Sequence, residues 1–564
     1  MQILQKNEIV VWAKQSDALI RRDIVSDIVQ FMQTPFLNRI GVLYGLRRTG
    51  KTTLLQHTFL SLDNIREKSV VFLLKHGDSS AQFELQVEKF YREGITTFYI
   101  DEFTSMTDYV DTAEDLANKY ASLGLKFLIS GTHSTGFNVL FRDKWRDRYI
   151  SFDTTYIPYA EWQKLVKNKH IDSYLLNGGI LSPMENAYTG EPQSFNRGFS
   201  TVQSTISYID DSVCNNICHS LSIDESRFRY PLLKRLHEKG KAVPLIQRVI
   251  LDECHKILYL DTNTIIPGEL TGFCNAFFKI LEKETEASIP DVKKKKILKE
   301  LGSTFGFTND ISEKYDEVIA LELYDYLKTI QLIFDYQYKL CYRPFENKNN
   351  IINTERLKKK KELYLQKIEQ QCDIYNDYHL LPQPGLRTSI VIATIKYLMN
   401  DQYISSLFES KKSAKEYFIN TIQKMMGHML EECIIFDTQS SIQRHQQDFS
   451  VYKVLFENGE YDMCVENNKT NECGIYEIKH RATIDFATQA YHLVDQEKER
   501  LFEADGRVIC SRTVLYLGKN EPIIRGVRYR NIEDFLRESY ATPAFLIRSP
   551  DMQKNIQKNI QTDA

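Results

Sequence analysis

Apolar residues follow two rhythms along this chain, and the changes between them divide it. After a short lead-in, Ile24, Ile28, Val29 and Met32 recur at helical spacing until Pro35 ends the pattern. Compact apolar runs then alternate with amphipathic stretches. The runs Ile40–Tyr44, Val70–Leu74, Thr97–Ile100, Lys126–Ser130 and Tyr149–Phe152 predict strands. A helix carrying Leu54, Leu55, Phe59 and Leu62 on one side follows the first. Strands separated by helices imply an α/β fold with a parallel sheet and crossover helices.

From about Glu161 to Asn400 helical spacing dominates and glycine is sparse. Tyr315–Tyr338 has one long amphipathic pattern, with Leu321, Leu323, Leu327, Ile330, Leu332 and Ile333. The lysine runs Lys293–Lys296 and Lys358–Lys361 are either solvated helix faces or phosphate contacts. From about Lys411 strands and helices mix again. Thr421–Phe436 predicts a helix, and Val451–Phe456, Tyr461–Val465, Ile475–Ile478 and Val514–Leu517 predict strands. The expected division is therefore 1–165, 166–400 and 401–545, with a frayed tail over 546–564.

Composition narrows the class. The chain has 564 residues, 42% hydrophobic and 26% charged, which excludes wholesale disorder. A net charge of -3 excludes a globally polybasic binder. Residues 421–540 hold 15 Lys+Arg against 20 Asp+Glu, and the rest 57 against 55. The last folded region is thus acidic, apart from a basic tip at Arg525, Arg528 and Arg530. No apolar stretch approaches the ~18 residues of a membrane span, and the start lacks signal-peptide organisation. The expectation is a cytoplasmic protein with no membrane partner. The 10 cysteines are scattered, as for reduced thiols. Cys214, Cys218, His219, Cys254 and His255 admit a zinc site or plain core packing, and their spacing favours the core.

Gly45-Leu-Arg-Arg-Thr-Gly50-Lys51-Thr52 is GxxxxGK[ST], set between an apolar strand and an amphipathic helix. Its glycines let successive backbone N–H groups face phosphates, and the helix N-terminus adds its positive end. Lys51 would reach the β- and γ-phosphates, and Thr52 would ligate Mg²⁺. In Thr97-Phe-Tyr-Ile-Asp101-Glu102 a strand ends in two carboxylates. Asp101 would hold the metal through water, and Glu102 would polarise the attacking water. Phe127-Leu-Ile-Ser130-Gly131-Thr132 could place a hydroxyl sensor beside the γ-phosphate. Among Arg142, Arg146 and Arg148, the last is the candidate for stabilising transition-state charge, in this subunit or a neighbour.

A second constellation lies near the C-terminus. Asp462 stands in one strand, with Tyr461 and Met463 expected on its opposite face; Glu477 and Lys479 share a face of the next. Two such strands could gather Asp462 and Glu477 round one hard cation, Mg²⁺ or Mn²⁺, with Lys479 beside a nucleophilic water. Glu431, on a helix upstream, could add a carboxylate, and Gln489 opens a segment downstream. Helix, strand, strand with D…ExK is the layout of the PD-(D/E)XK nuclease fold.

These motifs together resemble a family of prokaryotic P-loop ATPases that pairs an AAA-like domain with a PD-(D/E)XK-like domain. The resemblance rests on Arg47-Arg48 inside the P-loop, followed by Thr49-Gly50-Lys51-Thr52-Thr53-Leu54-Leu55. It continues through Asp101-Glu102, Ser130-Gly131-Thr132, Arg148, Tyr174…Gly178-Gly179…Pro183, Tyr326–Ile333, Pro384–Arg387, Gly427…Glu431, Asp462 and Glu477-x-Lys479. It implies an AAA-like parallel sheet, a helical and winged-helix-like middle and a nuclease-like α/β domain. Gly45, Arg48, Gly50, Lys51, Thr52, Thr53 and Thr132 would then serve ATP. Thr52 and Asp101 would serve one metal, and Glu431, Asp462 and Glu477 another. The residues leave two functions open: a nucleotide-controlled nuclease acting on nucleic acid, DNA being the candidate, in genome defence or mobile-element processing, or a nucleotide-switched sensor or assembly ATPase whose last domain only binds. ATP is the expected ligand and a homo-oligomer the expected assembly.

Overall fold

The computed structural model describes residues 1–35, 38–46, 49–106, 109–131, 137, 140–145, 147–166, 170–177, 181–182, 196–197, 230–242, 245–246, 274, 277–279, 281–283, 286–305, 317–341, 374–380, 388, 391–392, 394–395, 397–398, 400–404, 406, 412–456, 459–486, 488 and 490–547.

Six strands form the first sheet: β1 (Gln2–Gln5), β2 (Ile40–Tyr44), β3 (Ser69–Leu73), β4 (Thr97–Asp101), β5 (Lys126–Ser130) and β6 (Tyr149–Asp153). Their order is β1-β3-β4-β5-β2-β6, parallel throughout except for β1. Five of the six agree with the sequence expectation to within one residue; β1, four residues at the sheet edge, has too little pattern to show. Insertion of β5 between β2 and β4 brings the C-terminal ends of all three to one edge, where the glycine-rich turn lies. Alternation sends Leu43, Val71, Tyr99, Leu128 and Phe152 into a core under the helices Asn7–Lys14, Ile24–Gln33 and Lys51–Leu60. Val42, Phe72, Phe98, Ile100 and Ile129 pack on the other face, against Ser80–Arg92 and the 109–121 segment. Both faces are covered, so these strands are continuously apolar rather than alternating.

A short ladder joins β7 (Leu181–Ser182) to β8 (Asn196–Arg197). The second sheet has eight strands: β9 (Ile333–Cys341), β10 (Ile374–Leu380), β11 (Phe449–Phe456), β12 (Glu460–Asn467), β13 (Glu472–Lys479), β14 (Val508–Tyr516), β15 (Glu521–Ile524) and β16 (Val527–Asn531). They run β10-β9-β11-β12-β13-β14-β16-β15. β11, β12 and β13 are an antiparallel meander. The chain then crosses through the helix Gln496–Glu503 and returns as β14, parallel to β13. Ahead of the meander runs the helix Lys412–Arg444, 33 residues long, about twice the span its sequence pattern indicates. Its own face pattern is weak because different sides pack on different partners.

The amphipathic stretch 315–338 is not one helix. Helix Glu317–Thr329 stops, Gln331 adopts φ 62, and β9 begins at Ile333. From there Ile-Phe-Asp-Tyr-Gln-Tyr-Lys-Leu-Cys alternates with period two, which the preceding helical rhythm masks. β9 pairs in parallel with β11, so residues 333–341 and 374–380 extend the second sheet although they precede residue 401. Among the described residues no helix is long and apolar enough to cross a membrane.

Candidate functional site

Gly45 leaves β2 with φ 149, and a Cβ there would lie 2.5 Å from Thr154 Oγ1 and 2.6 Å from Thr155 Oγ1. Only glycine lets the turn lie this close to the end of β6. Gly50, φ 84, precedes the helix Lys51–Leu60, whose N-terminus faces the turn. Lys51 is buried, and its Nζ donates to the carbonyls of Gly45 at 2.9 Å and Leu46 at 2.7 Å. The ammonium is thus stored on the loop's own acceptors. Thr52 Oγ1 donates to Asp101 Oδ2 at 2.8 Å, joining the two groups that a nucleotide-bound Mg²⁺ would share; the donor set fits a hard cation. Ser130 Oγ donates to Asp101 Oδ1 and accepts from Glu102 N at 3.2 Å. Glu102 sits at φ 59, a left-handed conformation for a non-glycine residue at the sheet edge. Thr53 is half-buried in the first turn of the helix. Arg48 and Thr132 lie outside the described residues, as does Arg146.

Arg148 stands at the other end of the sheet. It precedes β6 and its carbonyl accepts from Ile40 N at 3.0 Å, five residues before the loop. That is roughly 16 Å of strand from this chain's own turn, and its side chain is exposed.

Arg22 joins the site although no motif marks it. Buried, it donates to Thr49 O (3.1 Å), Thr154 O (2.8 Å) and Tyr156 O (3.0 Å), and pairs with Glu161 through two contacts of 3.2 Å. It fixes the P-loop backbone to the segment after β6.

The second site forms where β12 and β13 part. Their pairing runs from Glu466↔Cys473 to Met463↔Tyr476. Beyond it Asp462 turns its carboxylate between the strands and accepts from Ile478 N at 2.7 Å. Lys479 Nζ lies 2.5 Å from Glu477 Oε1 and 3.9 Å from Asp462 Oδ2. The structure therefore brings Asp462, Glu477 and Lys479 together, and Glu431 joins through Lys453, 3.2 Å from Glu431 Oε2. Gln489 is outside the described residues. Carboxylate oxygens of Glu431, Glu460 and Asp462 all lie within 4.8 Å of one another, and Glu477 Oε2 is buried without a hydrogen-bond partner. These donors fit a hard divalent cation.

The expected faces need one correction. β11 and β12 change register at Tyr452/Val454, so Asp462 and Met463 together oppose Lys453. Tyr461 packs beneath the 490–502 segment, whereas Met463 packs in the core of the long helix. A bulge breaks the alternation on which the opposite-face reading of Met463 depends. It also lets Asp462 reach the cleft. Lys453 and Glu460 complete the cluster. The only signal for Lys453 is a lone lysine in Phe-Ser-Val-Tyr-Lys-Val-Leu-Phe.

Crowding sets the electrostatics. Burial, then Glu477 and Glu431, push the Asp462 carboxyl well above the ordinary range. Burial opposes charge on Glu431 too, but Lys453 and His428 hold it down to about 2. Burial likewise works against Lys479, and Asp462 and Glu477 more than offset it, raising its pKa. Among the described residues, the first lysine run does not join either site. Lys293 pairs with Asp401 and Lys294 with Glu282, both at 2.8 Å, so this part of the first lysine run is an ion-paired helix face. Lys358–Lys361, Cys214, Cys218, His219, Cys254, His255 and Pro384–Arg387 lie outside the described residues.

The long helix links the second site to the segment that follows β6. Tyr156 Oη donates to Asp437 Oδ1, and Tyr159 N donates to Asp437 Oδ2 at 3.1 Å. Phe436 packs edge-on against Tyr156 at 4.4 Å. Asp437 is six residues, or about 9 Å of helix, beyond Glu431. Burial pushes its carboxyl up to about 8.

Residues 37–162 match the family model described as AAA domain. Among solved structures, the chain is similar to a DNA polymerase III gamma subunit-related protein of Thermotoga maritima (13% identity, TM-score 0.22, 55% of this chain and 99% of that one). It is also similar to the ORC1 protein of Aeropyrum pernix in complex with DNA (12%, 0.21, 69% and 95%). A third is the replication initiator DnaA bound to AMPPCP and single-stranded DNA (12%, 0.20, 62% and 91%). Likeness at this level carries no argument about substrate or partner. No curated protein matches the chain in sequence. The family match, the strand order and the Lys51–Thr52–Asp101 geometry together make the N-terminal module an AAA-type P-loop domain.

Proposed function

We propose that the chain is a Mg²⁺-dependent ATPase whose nucleotide state controls a PD-(D/E)XK-like nuclease site on the second sheet, acting on DNA. The observation that carries the reading is the meeting of Asp462, Glu477 and Lys479 at the parting of β12 and β13, with Glu431 supplied by the preceding helix. A helix, an antiparallel meander, a crossover helix and a parallel strand surround it, which supports the same fold. Divalent metal held by these carboxylates would supply Lewis acidity and an activated water. Lys479 is positioned to orient that water and steady developing charge. At the P-loop, Lys51 would leave its carbonyls for the β- and γ-phosphates, with Thr52 and Asp101 at the Mg²⁺ and Glu102 on the attacking water. Arg148 would complete the site of a neighbouring copy, which makes a homo-oligomer part of the proposal.

The test is cleavage of plasmid and linear DNA with Mg²⁺ or Mn²⁺, with and without ATP, by wild type and Lys479→Ala. Metal-dependent cutting that Lys479→Ala removes is the expected result; equal products from both would end the nuclease reading. Lys51→Ala should lose tight ATP binding in calorimetry, and unchanged binding would overturn the ATPase reading.

A second reading is favoured by Lys453, whose ammonium already lies among the carboxylates. On it, the chain is a nucleotide-switched assembly ATPase whose second sheet only binds a partner. Glu102→Gln would then trap an ATP-bound assembly of altered mass in light scattering, and Asp462→Ala would change nothing.

A further inference from the structure

Lys453 is an anomaly in its strand. Its neighbours Val451, Tyr452, Val454, Leu455 and Phe456 are buried apolar residues, and it is itself buried. Its ammonium does not escape to solvent. It lies 2.8 Å from Glu460 Oε1, 3.2 Å from Glu431 Oε2 and 4.0 Å from Asp462 Oδ1. These are the same three residues whose oxygens converge as a candidate cation cradle. The bulge at Asp462 and Met463 is what aims the cradle at it. Across the cleft, Glu477 is 4% exposed and its Oε2 has no hydrogen-bond partner among the described residues. That oxygen is an acceptor beyond the one that Lys479 satisfies.

An ammonium in contact with the carboxylate oxygens that a metal would use competes with it for them, and the two cations repel each other with little screening in a buried site. We propose that Lys453 is a built-in competitor for divalent metal, an internal cation that occupies the space among Glu431, Glu460 and Asp462 until metal displaces it. The flexible four-carbon stem of lysine allows the displacement, which a rigid guanidinium fork would resist. The inference rests on the metal-binding part of the reading above, and names Glu460 and Lys453 as the residues that set metal affinity there. Metal then enters only at a concentration that outcompetes a tethered ammonium.

The experiment measures Mn²⁺ binding by the loss of the free-ion electron paramagnetic resonance signal, in the full chain, for wild type, Lys453→Met and Lys453→Arg. The Met variant should bind at least about tenfold tighter than wild type, since a like charge at contact distance is gone. Lys453→Arg should bind more weakly than wild type. Equal or weaker binding by Lys453→Met overturns the inference. A second measurement does not depend on that variant folding. In wild type, reductive methylation followed by mass spectrometry should leave Lys453 unlabelled without metal and label it at saturating Mn²⁺. Protection that persists at saturation overturns the inference as well. Failure here is separable from failure of the nuclease reading. DNA cleavage by a wild type that keeps Lys453 protected sinks only the competitor, and tight Mn²⁺ binding by Lys453→Met without cleavage by any variant sinks only the nuclease.

Discussion

Arg22 and Glu161, 139 positions apart, form a buried two-contact ion pair that ties the chain before the first parallel strand to the chain after the last. The same guanidinium holds the Thr49 carbonyl inside the P-loop. Replacing Arg22 with Ala leaves Glu161 charged and buried, at a cost of about 3–5 kcal/mol. Urea denaturation should show that loss, and calorimetry should show weaker ATP binding in the fraction that remains folded. An intact ATP affinity would mean the loop holds its shape without Arg22.

Gly45→Ala should be as damaging as its small size is innocent. The added methyl meets Thr154 Oγ1, Thr155 Oγ1 and the Thr155 backbone nitrogen at 2.5, 2.6 and 2.9 Å. Overpacking of this kind costs about 1–3 kcal/mol, and the loop must shift to relieve it. Nucleotide affinity should fall together with the melting temperature. Gly50→Ala, where a Cβ meets nothing within 4 Å, should instead show only the conformational strain of φ 84.

Asp437 gives stability a pH dependence of defined sign. Its folded-state pKa is pushed up to about 8 from an ordinary 3.8, chiefly by burial. The native state therefore binds the proton that the unfolded chain has already released. Stability falls as pH rises between those two values, and the loss is complete above the folded pKa. For one proton the slope is about 1.4 kcal/mol per pH unit. Denaturation between pH 5 and 7.5 should show wild type steeper than Asp437→Asn by that amount. Parallel curves would mean that the carboxyl is ionised in place.

Arg148 is testable by mixing. Arg148→Ala and Lys51→Ala should each lose ATP turnover alone. Mixed, they should recover part of it, because an intact loop then meets an intact Arg148 across some interfaces. No recovery in a mixture shown to co-assemble would exclude service in trans.

The P-loop was legible because its chemistry is local. Two glycines, a lysine and a threonine at fixed spacing, after an apolar strand, define a backbone cradle almost without the rest of the chain. Arg22 was not, since nothing in Ile20-Arg21-Arg22-Asp23 marks which arginine turns inward or that Glu161 waits for it. The second site was half legible. Asp462, Glu477 and Lys479 follow from strand order, but the bulge that turns Asp462 into the cleft depends on pairing with β11. Lys453 and Glu460 become part of the site only through that pairing. Helix Glu317–Thr329 and β9 merged into one apparent helix because Leu327, Ile330, Leu332 and Ile333 suit both periods.

The parallel pairing of β9 with β11 sets a rule for cutting this protein apart. A fragment starting near 401 would contain every carboxylate of the second site, yet it would strip one whole flank from β11 at Lys453–Phe456. Bare backbone donors and acceptors beside the apolar side chains of Val454, Leu455 and Phe456 are a template for strand addition between molecules. Such a fragment should aggregate, and a soluble one must begin before Ile333. Limited proteolysis should yield a stable C-terminal piece that retains 333–341, by covalent continuity or by non-covalent association.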